Sequence, residues 1–511
     1  MLTSRTRNPR PRACGLLIAL AAATGALAAD QTQWGQRHSR NMVSAETNLP
    51  ERFDPATGEN VLWVAAMGTE TYASPIVAGG RVLIGTNNGV PRDRRHKGDR
   101  GVLMCLDARD GSLRWQLVVP KLTGDPYFDW PRGGITSPPT VEGDRVYVVT
   151  NRGAVVCLDL HGQANGNDGP FRDEGRLMVP KGAPPLTLTG RDADVLWRFD
   201  THPEVGTYPH DAAHASILLD GEYLYLNTSN GVDNTHRRIR KPDGPSVIVL
   251  DKRTGRLVAQ DGERIGPRIF HCMWSSPALG VIAGRRLVLH GGGDGVCYAF
   301  EALKGGPAAR TPAAPATLKK VWSFDCDPNA PKENVHRYVG NRRESPSNIM
   351  GMPVVHKQRV YVAAGGDVWW GKRRSWLKCI DASKTGDVTG SALVWSHELK
   401  SHCCSTPSIH GGLVYIPDCG GLVHCLDADT GRAYWTHKTK GTIWGSTLVA
   451  DGKVYVGTRR RDFWVLAAGK EKKVLHSIDL DSPISAPPTA ANGVLYLTTM
   501  RKLYALRKGA K

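Results

Sequence analysis

The sequence predicts an all-β fold: a closed ring of eight four-stranded antiparallel blades, a β-propeller. Three observations predict it. A phrase recurs, as LMCLDARDGSLRW at 103–115 and VHCLDADTGRAYW at 423–435, with looser copies VVCLDLHG (155–162), VIVLDKRTGRLVAQD (247–261) and LKCIDASKTGD (377–387). Each copy follows a strand-opening pair, an apolar run, a Gly turn and a Val-Tyr-Val-like run, as in SPPTVEGDRVYVVT (137–150). The chain also carries 57 glycines and 33 prolines, a composition that suits short strands joined by turns. Self-similarity at this period marks an array of one supersecondary unit.

The units can be counted in order. Openers stand at Ser74-Pro75, Ser137-Pro138, Ser216-Ile217, Ser276-Pro277, Met352-Pro353, Thr406-Pro407, Ser446-Thr447 and Ser485-Ala486, which is eight. Period-2 runs bounded by Gly turns are predicted as the first and second strands of each unit. The Leu-Asp phrase forms the third strand and a run ending in Trp the fourth. The last unit stops at KLYALRKG without a Trp strand, whereas ENVLWVAA (59–66) is a Trp strand with nothing before it. The N-terminal strand is therefore predicted to complete the last blade and close the ring, which removes open sheet edges. Residues 30–511 are expected to form one domain. The Gly/Pro/Ala-rich excursions 163–195 and 304–318 are expected to be mobile.

The repeat explains many residues that look reactive. Cys105, Cys157, Cys379 and Cys425 share one position with Val249, Ala299, Val465 and Ala505, so that slot is small, apolar and buried. Trp63, Trp115, Trp197, Trp322, Trp395 and Trp435 recur as packing anchors between blades, and blades 3 and 7 lack theirs. The carboxylates Asp107, Asp159, Asp251, Asp381 and Asp427 are expected to accept backbone hydrogen bonds in their turns. HGGGDG (290–295) and AAGGD (363–367) precede no helix, so they read as turns rather than phosphate loops.

The phrase Val-x-Cys/Ala-Leu-Asp-Ala-x-Thr-Gly-x-x-x-Trp resembles the repeat of the pyrroloquinoline-quinone (PQQ) type propeller. That fold is shared by quinoprotein alcohol dehydrogenases and the outer-membrane assembly protein BamB. The resemblance covers essentially the whole chain after residue 29 and is more specific for fold than for function. In the quinoprotein dehydrogenases a vicinal disulfide covers one face of PQQ and a Trp the other. The resemblance thus implies Cys403, Cys404, Trp274, Trp444 and Arg132 as cofactor-binding candidates, with PQQ and calcium as the group. The chain departs from that pattern: Ser405-Thr406-Pro407 follows the cysteine pair where Asp is typical. No Glu and Asn pair for calcium, no catalytic-Asp phrase and no Cys-x-x-Cys-His haem motif is recognisable. Reduced or separately paired cysteines are the other reading of Cys403-Cys404.

Subtracting the repeat leaves loops that precede the inner strands and converge on one end of the central channel. They carry Trp130, Arg132, His210, Asp211, His214, His271, Cys272, Trp274, Asn348, His402, Cys403, Cys404 and Trp444. Polar and aromatic groups on a propeller axis make the default ligand site; the alternative is that they tie blades together. His210, Asp211, His214, His271 and His402 are candidates for a transition metal, without a recognised spacing.

Arg5, Arg7, Arg10 and Arg12 followed by GLLIALAAATGALA (15–28) read as a secretory signal cleaved after about Ala28. Residues 1–29 are accordingly a leader, and the protein is expected to be exported, periplasmic or secreted. No other stretch approaches the ~18 apolar residues of a membrane span. The net charge is +18, four of it in the leader. Basic clusters follow the Val-Tyr-Val strand in alternate blades: Arg94 and Arg95, Arg237 and Arg238, Arg373 and Arg374, Arg459 and Arg460. They are expected to crown one face, on the other side from the channel site, with Trp369 and Trp370 as a stacking platform beside the third cluster. An acidic protein, glycan or lipid-headgroup partner suits them; nucleic acid does not, for want of a recognition motif. The expected function is a non-enzymatic binding scaffold of the cell envelope built as a monomeric propeller. The alternative is a PQQ-dependent alcohol or sugar dehydrogenase. A polysaccharide hydrolase or lyase using His210, Asp211 and His271 is a third reading.

Overall fold

Eight antiparallel sheets form the ring in the computed structural model, which describes Met1, residues 29–306 and residues 314–510. The predicted leader lies almost wholly outside the described residues. Blade 1 runs from the channel outward as Ile76–Ala78, Arg81–Asn87, Arg100–Asp107 and Leu113–Pro120. The inner strands of the other blades are Thr140–Glu142, Leu218–Asp220, Ala278–Ile282, Val354–His356, Ser408–His410, Leu448–Ala450 and Thr489–Ala491. Each follows one of the eight openers. Val61–Ala66 pairs antiparallel with Lys502–Leu506, so the N-terminal strand closes the last blade as predicted.

Strand register confirms the repeat position by position. Cys105 pairs with Leu83 and Trp115, Cys157 with Tyr147 and Trp197, Cys379 with Tyr361 and Trp395, and Cys425 with Tyr415 and Trp435. Where the anchor Trp is missing, Ala259 and His476 take its place. Both faces of every blade are covered by a neighbour, so the middle strands read as unbroken apolar runs rather than alternating ones. The core is correspondingly divided into eight clusters, one between each adjacent pair of blades.

Three of the connections between third and fourth strands reach back to cover the outer edge of the preceding blade. Asp192 bridges to Gln116, Ala316–Thr317 adds to Leu257–Gln260, and Gly386–Asp387 adds to Lys320–Asp325. Covering an outer strand in this way blocks edge-to-edge pairing. The 163–195 excursion is therefore not a loose loop: Met178 and Ala193 are buried in the blade 1–2 core and Glu174 is fully buried. Of the 304–318 excursion, 307–313 lie outside the described residues.

Residues 29–50 do something the repeat did not announce. They circle the inside of the ring and bond to one blade after another. Gln31 and Thr32 accept from Val77 and Val141, His38 and Ser39 from Leu279 and Val355, and Met42 from Val449, at 2.8–3.1 Å. Asn41 makes a two-way amide pair with Ile409, 2.8 Å each way. Arg40, fully buried, donates to the carbonyls of Pro277, Trp34 and Ser216. Glu46 closes the circuit, accepting from Ala29 N and from Gly493 N in blade 8. This inner belt plugs one end of the channel, near the turns between first and second strands.

Candidate functional site: an aromatic cup

In a four-stranded up-and-down blade, the connection entering the inner strand and the one between the second and third strands emerge at the same end. At that end, opposite the turns that the belt reaches, lies a cavity of about 430 Å³. All eight loops that enter inner strands contribute to it, with Tyr72, Trp130, His214, Trp274, Met350, Cys404, Trp444 and Ser485 as one residue from each. Trp34 of the belt also lines it, so the channel becomes a blind cup rather than a through-hole.

The rings form a continuous wall. Trp274 meets Trp369 edge-on at 5.4 Å, Trp369 meets Trp444 at 5.8 Å, and His214 packs on Trp274 at 4.6 Å. Tyr127 stacks on His210 and leans on Trp130. The Arg459 guanidinium lies 4.3 Å from the centre of the Trp444 ring and bonds Ser485 Oγ. Arg459 belongs to the fourth basic cluster, and Trp369, Trp370 and His236 come from connections of the same kind. The expectation that the basic loops sit on the opposite face is thus corrected: they share the cup's end, and the two tryptophans serve the cup. Arg95 is bonded to Asp93 and Asp192, Arg238 to Asp233 and Arg374 to Glu398, while Arg94, Arg237, Arg373 and Arg460 are exposed.

One wall holds a histidine cluster. The His210 ring lies 4.5 Å from His271 and 4.9 Å from His236. His271 Nδ1 is 3.0 Å from Asp367 Oδ2, and His210 Nδ1 is 2.7 Å from the Val232 carbonyl. Asp367, read in the sequence as the end of a turn, is fully buried and also accepts from the backbone amides of Trp369 and Trp370 and from Asn348. It holds the loop that presents the two tryptophans and orients His271. Burial works against the His271 imidazolium, but the Asp367 carboxylate outweighs it and leaves the ring above its usual pKa. His210 is held well below the usual value by burial and by His271. Burial lifts the Asp211 carboxyl to about 6 and lowers His214 to about 4. Asp211, His236 and Arg132 have positive φ of 63°, 56° and 63°, a conformation costing of order 1 kcal/mol or more in non-glycine residues and concentrated at ligand sites.

The remaining candidates separate. His214 packs in the cup away from the three-histidine cluster, and His402 is buried outside the cup lining. Cys272 is buried behind His271. Arg132 is largely exposed at the rim, bonded through its backbone to Asp99 and facing Glu70. Cys403 and Cys404 do not form a pair. The Cys403 thiol is 3.3 Å from the Pro417 carbonyl inside the blade 5–6 core, whereas Cys404 faces Met350 Sδ at 3.3 Å and Cys419 Sγ at 3.7 Å. Trp34, Tyr72, Tyr127, His236 and Met350 were not singled out in the sequence. His236 sits inside HRRIRK, where the basic run masks it.

The family model described as outer membrane protein assembly factor BamB matches residues 14–167, 45–261 and 373–509, most of the chain. The chain belongs to this BamB family. BamB of Moraxella catarrhalis aligns with 87% of this chain and 98% of its own at 14% identity and a TM-score of 0.53. A quinohemoprotein alcohol dehydrogenase of Comamonas testosteroni aligns over 96% of this chain and 82% of its own, at 12% identity and a TM-score of 0.58. A europium-containing methanol dehydrogenase aligns over 94% and 98%, at 12% identity and a TM-score of 0.59. These likenesses establish the shared propeller fold. No curated protein matches the sequence. Among the described residues no helix is long and apolar enough to cross a membrane.

The cup of this BamB-family chain does not suit the quinone and calcium that the resemblance implied. Calcium takes 6–8 oxygen ligands, yet Asp211 is the only carboxylate among the lining residues, and its neighbours are imidazoles. The two thiols that would form a vicinal cover point into different surroundings.

Proposed function

We propose that this BamB-family propeller is an exported binding module of the cell envelope that holds an acidic glycan. The observation that carries the reading is the blind, tryptophan-lined cup at the end of the ring where the arginine loops emerge. Sugar rings present apolar faces that stack on indoles, while Asp211, His214, Ser446 and Ser485 offer hydrogen bonds at the edges. The exposed Arg94, Arg237, Arg373 and Arg460 supply long-range attraction for anionic groups outside the cup. A volume near 430 Å³ lies within the range of small-molecule sites and is too small for a folded domain. The family description and the predicted leader support the envelope setting.

The cup's own tryptophans report on occupancy. Titration with acidic oligosaccharides should change the intrinsic fluorescence saturably, and Trp369→Ala should lower affinity roughly 5- to 150-fold, taking stacking on an aromatic side chain at about 1–3 kcal/mol per ring. The attraction should weaken as salt rises. The reading fails if neither acidic nor neutral glycans perturb the fluorescence. It also fails if PQQ with calcium binds stoichiometrically and supports dye-linked alcohol oxidation.

A further inference from the structure

We propose that His210, His236 and His271 form a three-imidazole site for a divalent transition metal, zinc or copper, on the wall of the cup. One ligand atom from each lies within 4.8 Å of the other two. Tetrahedral coordination at ~2.0–2.1 Å places such nitrogens about 3.4 Å apart, so a metal closes the cluster by side-chain shifts on the order of 1 Å.

The surroundings are those of a built site. The Nδ1 atoms of His271 and His210 are engaged by a carboxylate and a backbone carbonyl, which fixes both as Nδ1–H tautomers and leaves the Nε2 lone pairs free. Both Nε2 atoms are buried and have no hydrogen-bond partner. A buried polar atom left unpaired costs about 1–3 kcal/mol, and two converging in one cluster call for a shared partner. His236 enters from the blade 3 loop with positive φ and stacks on His271 with ring centres 5.5 Å apart. Asp211 Oδ1, also unpartnered, lies 3.7 Å from His210 Nε2. Because His236, His271 and Asp211 line the cavity, the remaining coordination position faces the cup. Imidazole donors favour zinc and copper over magnesium or calcium. A second group, Asp93, His96 and Asp192, offers no comparable site, since Arg95 already bonds both carboxylates.

The site stands independently of the organic ligand the cup takes, so the test is made without glycan. Untagged protein is stripped with a chelator and dialysed against zinc, copper(II) or cobalt(II), and bound metal is counted by elemental analysis. One equivalent per chain is expected, with a rise in Tm and a four-coordinate ligand-field spectrum for cobalt. His236→Gln removes a half-buried loop ligand outside the core, so it should fold normally and lose the bound equivalent. Asp367→Asn should weaken binding roughly 10–100-fold while keeping the stoichiometry. Failure to bind any of the three metals overturns the proposal. So does an unchanged equivalent in His236→Gln. Absence of glycan binding in the separate fluorescence titration, with the metal bound here, would reject only the ligand reading.

Discussion

Trp115 and Trp322 occupy the same repeat position, yet only one of them donates a hydrogen bond. Trp115 Nε1 bonds the Leu160 carbonyl of the next blade at 2.8 Å, whereas Trp322 Nε1 is buried without a partner. The receiving turns explain the difference: Trp115 meets blade 2, where Gly162 stands three residues after Asp159, whereas Trp322 meets blade 5, where Gly386 stands five residues after Asp381. Replacing Trp115 by Phe should therefore cost about 1 kcal/mol more than replacing Trp322 by Phe, the net worth of one hydrogen bond. Equilibrium urea unfolding of the two variants measures it, and equal losses would contradict the argument. The packing role of these tryptophans was legible because it recurs. The Cys403 and Cys404 surroundings were not legible, since adjacent residues in an extended segment point to opposite sides. The Leu-Asp carboxylates behave as the sequence implied: Asp107, Asp159, Asp251, Asp381 and Asp427 each accept a backbone amide two residues on.

At the scale of the element, the turn after the third strand in blades 1, 2, 3 and 6 is also a seat for the preceding blade's tryptophan. Gly431 has φ of +72°, and a Cβ there would lie 2.5 Å from Cε3 of Trp395. Gly452, with φ of +67°, has nothing within 4 Å of its Cβ position. Both lose about 1 kcal/mol to left-handed strain when changed to Ala. Gly431→Ala should lose at least about 1 kcal/mol more, because Trp395 must move. Thermal unfolding of the two variants tests the difference. The sequence marked these glycines as turn residues, which they are. It could not mark Gly431 as a contact, because the tryptophan it carries lies in the neighbouring blade. The same blindness misplaces the basic loops, because their end of the ring follows from strand direction through the blade.

At the scale of the molecule, the belt of residues 29–50 joins blades that the repeat only sets side by side. Arg40 is its hub, with one guanidinium satisfying carbonyls of blade 3, blade 4 and the belt itself. Arg40→Ala leaves two buried acceptors and one part-buried acceptor unpaired and should cost roughly 2 kcal/mol or more in guanidinium unfolding, at about 1–3 kcal/mol per buried orphaned group. Arg40→Lys should not restore the loss, because a point-like ammonium cannot span three carbonyls as a planar fork does. Because Trp34 is tied to Arg40 and lines the cup, both variants should also weaken the ligand-induced fluorescence change. The number of blades, their strand pairing, the closure by Val61–Ala66 and the structural role of the repeated Cys, Asp and Trp are legible in the chain alone. These follow from local periodicity, which a repeating chain displays many times over. The blind cup, the arginine loops at its mouth and the meeting of His236 with His210 and His271 emerge only when the ring is assembled. Those facts depend on residues far apart in sequence and present only once, brought together by the closure of the ring, and no local pattern encodes them.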